Sequence, residues 1–121
     1  DAVVLSVSLD ETNAYADEKM IERVMINLIS NAYYAVYQQK SKKIALKIRE
    51  QNRRIIFSIQ DNGDGIDPKI GDRIFLPFFT TRDNGSGIGL TLAKSIMEAH
   101  HGYLTYKNSD DGALFEAWLI R

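Results

Sequence analysis

The stretch Ile55-Ile56-Phe57-Ser58-Ile59-Gln60-Asp61-Asn62-Gly63-Asp64-Gly65-Ile66 decides how the chain folds, because a strand pattern turns into a glycine-rich turn inside it. Ile55, Phe57 and Ile59 alternate with Ile56, Ser58 and Gln60, the period of a strand. Upstream, Ile44, Leu46 and Ile48 alternate with Ala45, Lys47 and Arg49. Gln51-Asn52 between the two runs predicts a hairpin turn. Asp61 shares the parity of Ile55, Phe57 and Ile59, so it points where they point, and a carboxylate at the end of a buried face needs a donor. Two donors are open to it: the amides of the turn Asn62-Gly63-Asp64-Gly65, or an amino group on a ligand.

Working outward, Val3, Leu5, Val7 and Leu9 alternate as a half-buried strand does. Asp17 suits a helix N-cap, and Met20, Ile21, Val24, Met25, Leu28, Ile29 and Ala32 follow at helical spacing, which predicts a helix from Glu18 to near Gln38. Between Asp61 and Ser86 the chain carries Gly63, Gly65, Gly71, Gly85 and both prolines, with one short apolar island, Ile74 to Phe79. Long irregular segments in compact domains are usually functional. A second helix places Ile88, Leu92, Ile96 and Ala99 on one face, with Gly102 as its stop. Tyr103 to Lys107 and Ala113 to Ile120 read as two strands around Asp110-Asp111-Gly112. Hairpin-like strand pairs interspersed with helices predict an α+β domain, with helices on one face of a mostly antiparallel sheet.

The chain has 121 residues, 45% apolar and 26% charged, which is one domain spanning 1–121. No apolar run approaches the roughly 18 residues of a membrane-spanning helix. The absence of cysteine excludes a disulfide scaffold, a zinc knuckle and a thiol nucleophile. Lys+Arg 15 against Asp+Glu 16 gives a net charge of −1 with no basic stripe, so no nucleic-acid partner is expected. The chain opens on Asp1 rather than Met and closes straight after an apolar run, as a piece of a longer protein would; no targeting segment is read in it.

Three features carry chemistry. Counted round the first helix, Asn31 falls inside an apolar stripe bounded by Met20 and Ile29, and Asn27 falls on its edge. A carboxamide there costs about 1–3 kcal/mol unless it finds a partner. That partner is either neighbouring backbone or a hard cation such as Mg2+, which takes oxygen ligands. Asp61 is the second feature. The third is Gly85-Ser86-Gly87-Ile88-Gly89-Leu90, which runs into a helix and so offers backbone amides to an anion. It is neither a P-loop nor a dinucleotide fingerprint, because Leu90 stands where those motifs need Lys or Gly. The turn 61–67 is no calcium loop, since position 72 is Asp rather than Glu. His100 and His101 read as helix-end charge rather than a metal site, and Tyr33, Tyr34 and Tyr37 as packing or surface aromatics.

Taken together and in order, these segments resemble one family. Asn27-Leu28-Ile29-Ser30-Asn31-Ala32 looks like the asparagine box of sensor histidine kinases, and Asp61-Asn62-Gly63-Asp64-Gly65-Ile66 like the first glycine box. Ile74-Phe75-Leu76-Pro77-Phe78-Phe79-Thr80-Thr81-Arg82 is similar to the phenylalanine box and its tail, and Gly85 to Leu90 to the second glycine box. The resemblance implies the ATP-binding catalytic domain of a histidine kinase. Its Bergerat-type fold is a two-layer α/β sandwich shared with DNA gyrase, the mismatch-repair ATPases and the heat-shock chaperone ATPase. It has a mixed, mostly antiparallel sheet of about five strands and about three helices on one face.

The ATP-binding set that the resemblance implies is Asn27, Asn31, Ala35, Asp61, Gly63, Gly65, Ile66, Arg82, Ser86, Gly87, Ile88, Gly89 and Leu90, with Asn31 the Mg2+ ligand. Asp61 would accept from the adenine amino group, Gly63 and Gly65 would let backbone approach the base, and Arg82 would contact phosphate. Residues from about Asp67 to Ser86 would form a lid. The implied partners are an upstream helical dimerisation domain that carries the acceptor histidine, and a downstream response regulator. The domain itself would be cytoplasmic, without membrane contact and monomeric as a fragment. Two departures bear on mechanism. Tyr34 stands where many members have Lys or Arg, and Asn27 stands where the hydrolytic relatives have a Glu base. A carboxamide is no base at neutral pH, which favours transfer to a side chain over hydrolysis. A serine kinase of the anti-sigma type and a degenerate nucleotide-binding scaffold are the alternatives. His100 lies where the family often has a His-Gly pair and is not read as the acceptor.

Overall fold

Two hairpins and two crossovers build the sheet. Its strands are β1 (Ala2–Ser8), β2 (Lys43–Gln51), β3 (Arg54–Asp61), β4 (Tyr103–Ser109) and β5 (Gly112–Ile120), in the spatial order β1-β2-β3-β5-β4. The computed structural model describes residues 2–8, 16–76, 89–109 and 112–120. β1 runs parallel to β2, and every other neighbouring pair is antiparallel. A parallel pair needs a crossover, and helix α1 (Glu18–Val36) supplies it. Helix α2 (Gly89–Ala99) lies beside α1, and a short 3-10 helix covers Gly71–Phe75. The expected α+β class therefore holds, with five strands, two α-helices and one 3-10 helix among the described residues.

The alternation of β2, β3 and β5 aims Ile44, Phe57, Ile59, Phe115, Ala117 and Leu119 at the helices. Val24, Leu28, Ala32 and Val36 of α1 and Ala93, Ile96 and Met97 of α2 meet them in one cluster. Leu28 and Ala93 are fully buried, so both helices are held by packing rather than by propensity. On the opposite face of the sheet, Arg49 reaches Ser58 at 2.9 Å and Glu116 at 3.0 Å, and this group stands beside Ile56, which is itself fully buried.

Several boundaries differ from those the sequence predicts. The first hairpin turns at Asn52-Arg53, one residue later than expected, and both residues have positive φ (52° and 63°). Two consecutive positive φ values give the turn whose twist matches that of the flanking strands. Asp17 does cap α1, accepting from the Met20 amide at 3.1 Å, but the helix ends at Val36 with Tyr37 as its C-cap, short of Gln38. The buried stripe of α1 is narrower than the apolar residues suggest, for Met20 and Ile29 at its expected bounds are exposed. On α2 the inward residues are Ala93, Ile96 and Met97, while Leu92 and Ala99 face outward. Ile88 and Leu9 lie outside the described residues.

The end of α2 is also built differently. His101, not Gly102, takes the left-handed conformation (φ 59°). The Gly102 amide donates to Met97 O at 2.9 Å and the His101 amide to Glu98 O at 3.0 Å, the paired bonds of a Schellman motif. Glycine is needed at 102 for space instead. A Cβ there would stand 1.9 Å from the Trp118 carbonyl oxygen of β5.

Candidate functional site

The last residue of β3 is the centre of the site. Asp61 is 2% exposed, paired with Ile44 across the β2–β3 ladder and enclosed at the inner end of the sheet. Its Oδ1 accepts from the Gly63 amide at 2.9 Å and from the Ala113 amide at 3.3 Å. Burial pushes its carboxyl pKa up, while those two amides pull it down. The turn-capping donor foreseen from sequence is thus present, and β5 adds a second. Among the described residues no cation pairs with the carboxylate.

Glycines set the distances around it. A Cβ at Gly63 would lie 2.5 Å from the Ala35 carbonyl oxygen, so only glycine lets the turn rest on α1. A Cβ at Gly112 would lie 2.2 Å from the Asp61 carbonyl oxygen, and its φ of 137° excludes other residues as well. Backbone of the turn after β3 and of β5 therefore converges on one carboxylate, and α1 backs the turn at Gly63. Gly65 (φ 78°) and Ile66 continue the turn, and Ile66 packs against the core.

Asn108, near the end of β4, holds that turn. Its Oδ1 accepts from the Ile66 amide at 2.8 Å, and its Nδ2 donates to the Ile66 carbonyl oxygen. The sequence reading did not single out this residue. An Asn two residues before Asp110-Asp111-Gly112 is indistinguishable from ordinary turn chemistry until its partner, 42 residues away, is known.

Asn27, Asn31 and Ala35 lie at successive turns along one flank of α1, each half-buried. This corrects the expectation that Asn31 sits within the buried stripe: it stands beside the stripe, on the flank that also carries Ala35, whose carbonyl oxygen receives Gly63. Asn27 Nδ2 donates to the Gly89 carbonyl oxygen at 3.0 Å, which joins α1 to the first residue of α2. Leu90 is partly buried against the core. Arg82, Ser86, Gly87 and Ile88, with residues 77–86 of the expected lid, lie outside the described residues. The first part of the expected lid, 67–76, holds a turn and the 3-10 helix, and Phe75 from it is buried in the core. Thr91 Oγ1 donates to the Phe75 carbonyl oxygen at 2.7 Å, and Lys94 Nζ stands 5.0 Å from the centre of the Phe75 ring. The beginning of α2 is thereby fastened to the end of the 3-10 helix.

His100 is a tie between helices rather than a helix-end charge. Its Nδ1 lies 2.8 Å from the Ile96 carbonyl oxygen, and its Nε2 accepts from the Asp17 amide at 3.0 Å, the pattern of the tautomer with hydrogen on Nδ1. Among the described residues, no three His, Asp or Glu side chains gather as a metal cage, and no described helix is long and apolar enough to cross a membrane.

Residues 16–120 match the family model described as histidine kinase-, DNA gyrase B- and HSP90-like ATPase. The chain is 36% identical over 106 residues to the sensor histidine kinase ZraS of Salmonella typhimurium, covering 86% of this chain and 22% of that protein. It is 30% identical over 115 residues to the C4-dicarboxylate transport sensor protein DctB of Rhizobium meliloti, covering 95% and 18%. The chain thus spans about a fifth of the length of these relatives. In three dimensions it is similar to the nucleotide-free catalytic domain of the histidine kinase ThkA, with a TM-score of 0.87 and 28% identity over 98% of this chain and 77% of that one. Full-length ShkA in complex with AMPPNP also matches, with a TM-score of 0.77 and 25% identity over 98% of this chain and 26% of that one.

Proposed function

Because the chain belongs to the histidine kinase-, DNA gyrase B- and HSP90-like ATPase family, we propose that it binds Mg2+·ATP and passes the γ-phosphoryl group to a histidine on a separate helical domain. The observation that carries the reading is Asp61. It is a buried acceptor at the end of β3, with glycine at 112 keeping a side chain away from it. Two amides engage Oδ1, and the second oxygen is assigned to the exocyclic amino group of adenine. Guanine presents a carbonyl at that position, so it would set acceptor against acceptor.

The donor set supports a metal held mainly by substrate. Mg2+ keeps several waters and is bound through few protein oxygens plus phosphates, and Asn31 offers one carbonyl oxygen on the flank that leads to Gly89. When bound, the metal supplies charge neutralisation along the triphosphate. Asn27, anchored on Gly89, supports the triphosphate side, and the Gly85–Leu90 segment with Arg82 is assigned to the phosphates. Since Asn27 is a carboxamide and its amide is committed to Gly89, the site has no general base there for water. Phosphoryl transfer rests on positioning and charge stabilisation, which this arrangement supports. The acceptor histidine is assigned to a helical dimerisation domain of the parent, the product to a response regulator, and the domain to the cytoplasm, where ATP is available.

The test is transfer in trans. The chain, Mg2+·ATP labelled on the γ-phosphate and the parent's own helical histidine domain are mixed. An acid-labile, base-stable label on that domain is expected, with slow ATP turnover by the chain alone. An acid-stable label would assign a serine kinase instead, and rapid hydrolysis without acceptor would place the chain with the hydrolytic relatives.

A further inference from the structure

We infer that Asn108 is the positioning residue of the base pocket: its carboxamide clamps Ile66 by both backbone groups and so fixes the wall on which an adenine ring would rest. The inference rests on the nucleotide-binding reading above and extends it to a residue outside the motifs. Asn108 Oδ1 accepts from the Ile66 amide at 2.8 Å, and its Nδ2 donates to the Ile66 carbonyl oxygen. The two bonds reproduce, for one residue, the pairing a neighbouring strand would give. They add to the hydrogen bonds that hold the turn's earlier residues, Asn62 to Lys43 and Ser41, Gly63 to Asp61 and Asp64 to Gln39, and they secure the part that follows. Asp64, Asp67, Pro68 and Lys69 are exposed, and Gly65 sits at φ 78°, a conformation that costs glycine little and therefore specifies little.

The same hairpin reaches the pocket a second time. Gly112 packs on the Asp61 carbonyl, and Ala113 donates to Asp61 Oδ1. Asn108 and Ala113 therefore fix two parts of one pocket, the turn and the carboxylate, from the same β4–β5 hairpin. Gly65 also stands close to the clamp, since a Cβ on it would lie 3.1 Å from Asn108 Oδ1. Loss of the carboxamide should free the turn while leaving the core cluster, to which Asn108 does not belong, intact.

The test compares wild type with Asn108→Ala and Asn108→Asp in three measurements. In Asn108→Ala, adenosine and ATP should bind about tenfold more weakly, the effect of losing two part-solvated hydrogen bonds. Inorganic tripolyphosphate should bind as in wild type. Asn108→Asp keeps an acceptor for the Ile66 amide but sets oxygen against the Ile66 carbonyl, so it should fall between the two. Hydrogen exchange at the Ile66 amide should accelerate at least about tenfold in Asn108→Ala without nucleotide. Unchanged exchange there would overturn the clamp whatever the ligand proves to be. Faster exchange with unchanged adenosine affinity, or equal losses for adenosine and tripolyphosphate, would overturn its positioning role. Failure of wild type to bind ATP would instead strike the nucleotide reading and leave the exchange result to judge the clamp.

Discussion

Asp17 and His100 are bonded across 83 residues of sequence, the Asp17 backbone N–H donating to His100 Nε2 at 3.0 Å. Asp17 is the cap of α1, and His100 follows the last residue of α2. At the other end of α2, Asn27 from the middle of α1 bonds Gly89, the first residue of α2. The helices therefore run antiparallel and are laced at both ends of α2, one lace beside the site and one remote from it. Removing the remote lace should cost stability and spare binding. His100→Ala is expected to lower unfolding stability by about 1 kcal/mol and to leave ATP affinity within about twofold. Urea unfolding and calorimetry would check both, and an unshifted urea midpoint would mean that the bond contributes nothing in solution.

Asp61 should trade stability for binding. Burial raises its carboxyl pKa above the usual aspartate value, so the native state holds the proton more tightly than the unfolded chain does. A raised carboxyl makes stability fall as pH climbs from the unfolded value through the raised native one, and the loss persists at neutral pH. Asp61→Asn keeps an oxygen for the Gly63 and Ala113 amides and removes the charge. The variant should therefore match or exceed wild-type stability at pH 7, with the gap closing below the unfolded aspartate pKa. Its amide offers a donor to the adenine amino group, so ATP affinity should fall by about a hundredfold or more. Unfolding midpoints from pH 3 to 8 and calorimetry with ATP and GTP would decide. A variant less stable at pH 7 than at pH 3, relative to wild type, would reverse the sign argued here.

How far these features were legible differs by kind. Period-two alternation placed β2 and β3 and put Asp61 on the inward face, because parity survives small errors in strand limits. Asp17 was legible as a cap, because capping is local. The limits of the buried stripe on α1 were not: Met20 and Ile29 are as apolar as Leu28, and only the position of the sheet and α2 decides which of them is covered. Asn108, Gly112 and the Asp17–His100 bond were hidden for a related reason. Each acts on a partner more than forty residues away, and no local pattern records that.

Gly102 and His101 show the same limit at one turn, and they make a reciprocal prediction. A glycine after a helix suggests left-handed backbone, yet here His101 adopts it and Gly102 serves close packing. Gly102→Ala would drive a methyl group into the Trp118 carbonyl, whose surroundings are backbone and cannot swing aside. It should destabilise by about 3 kcal/mol. His101→Gly relieves a left-handed non-glycine residue and should stabilise by up to about 1 kcal/mol. Thermal unfolding of the two variants tests the assignment, and opposite signs would show that the roles had been exchanged.

Asn27→Asp isolates the near lace. The substitution preserves size and one oxygen but replaces the donating Nδ2 with a second acceptor, 3.0 Å from the Gly89 carbonyl oxygen. Two acceptors at that distance repel, so Gly89 should shift away from α1 and stability should fall by about 1–2 kcal/mol. Gly89 begins the helix whose amide end is assigned to the phosphates, so the loss in binding should concentrate there. Mg2+·ATP and tripolyphosphate should bind about tenfold more weakly, while adenosine binds as in wild type. ATP hydrolysis should not rise, because aspartate is one methylene shorter than the glutamate base of the hydrolytic relatives and faces a carbonyl rather than water. This profile is the mirror of Asn108→Ala, which should lose adenosine and keep tripolyphosphate. Calorimetry on both variants with the three ligands separates the halves of the site. If Asn27→Asp weakened adenosine as much as tripolyphosphate, its effect would be on the fold as a whole, and the assignment of Asn27 to the triphosphate side would fail.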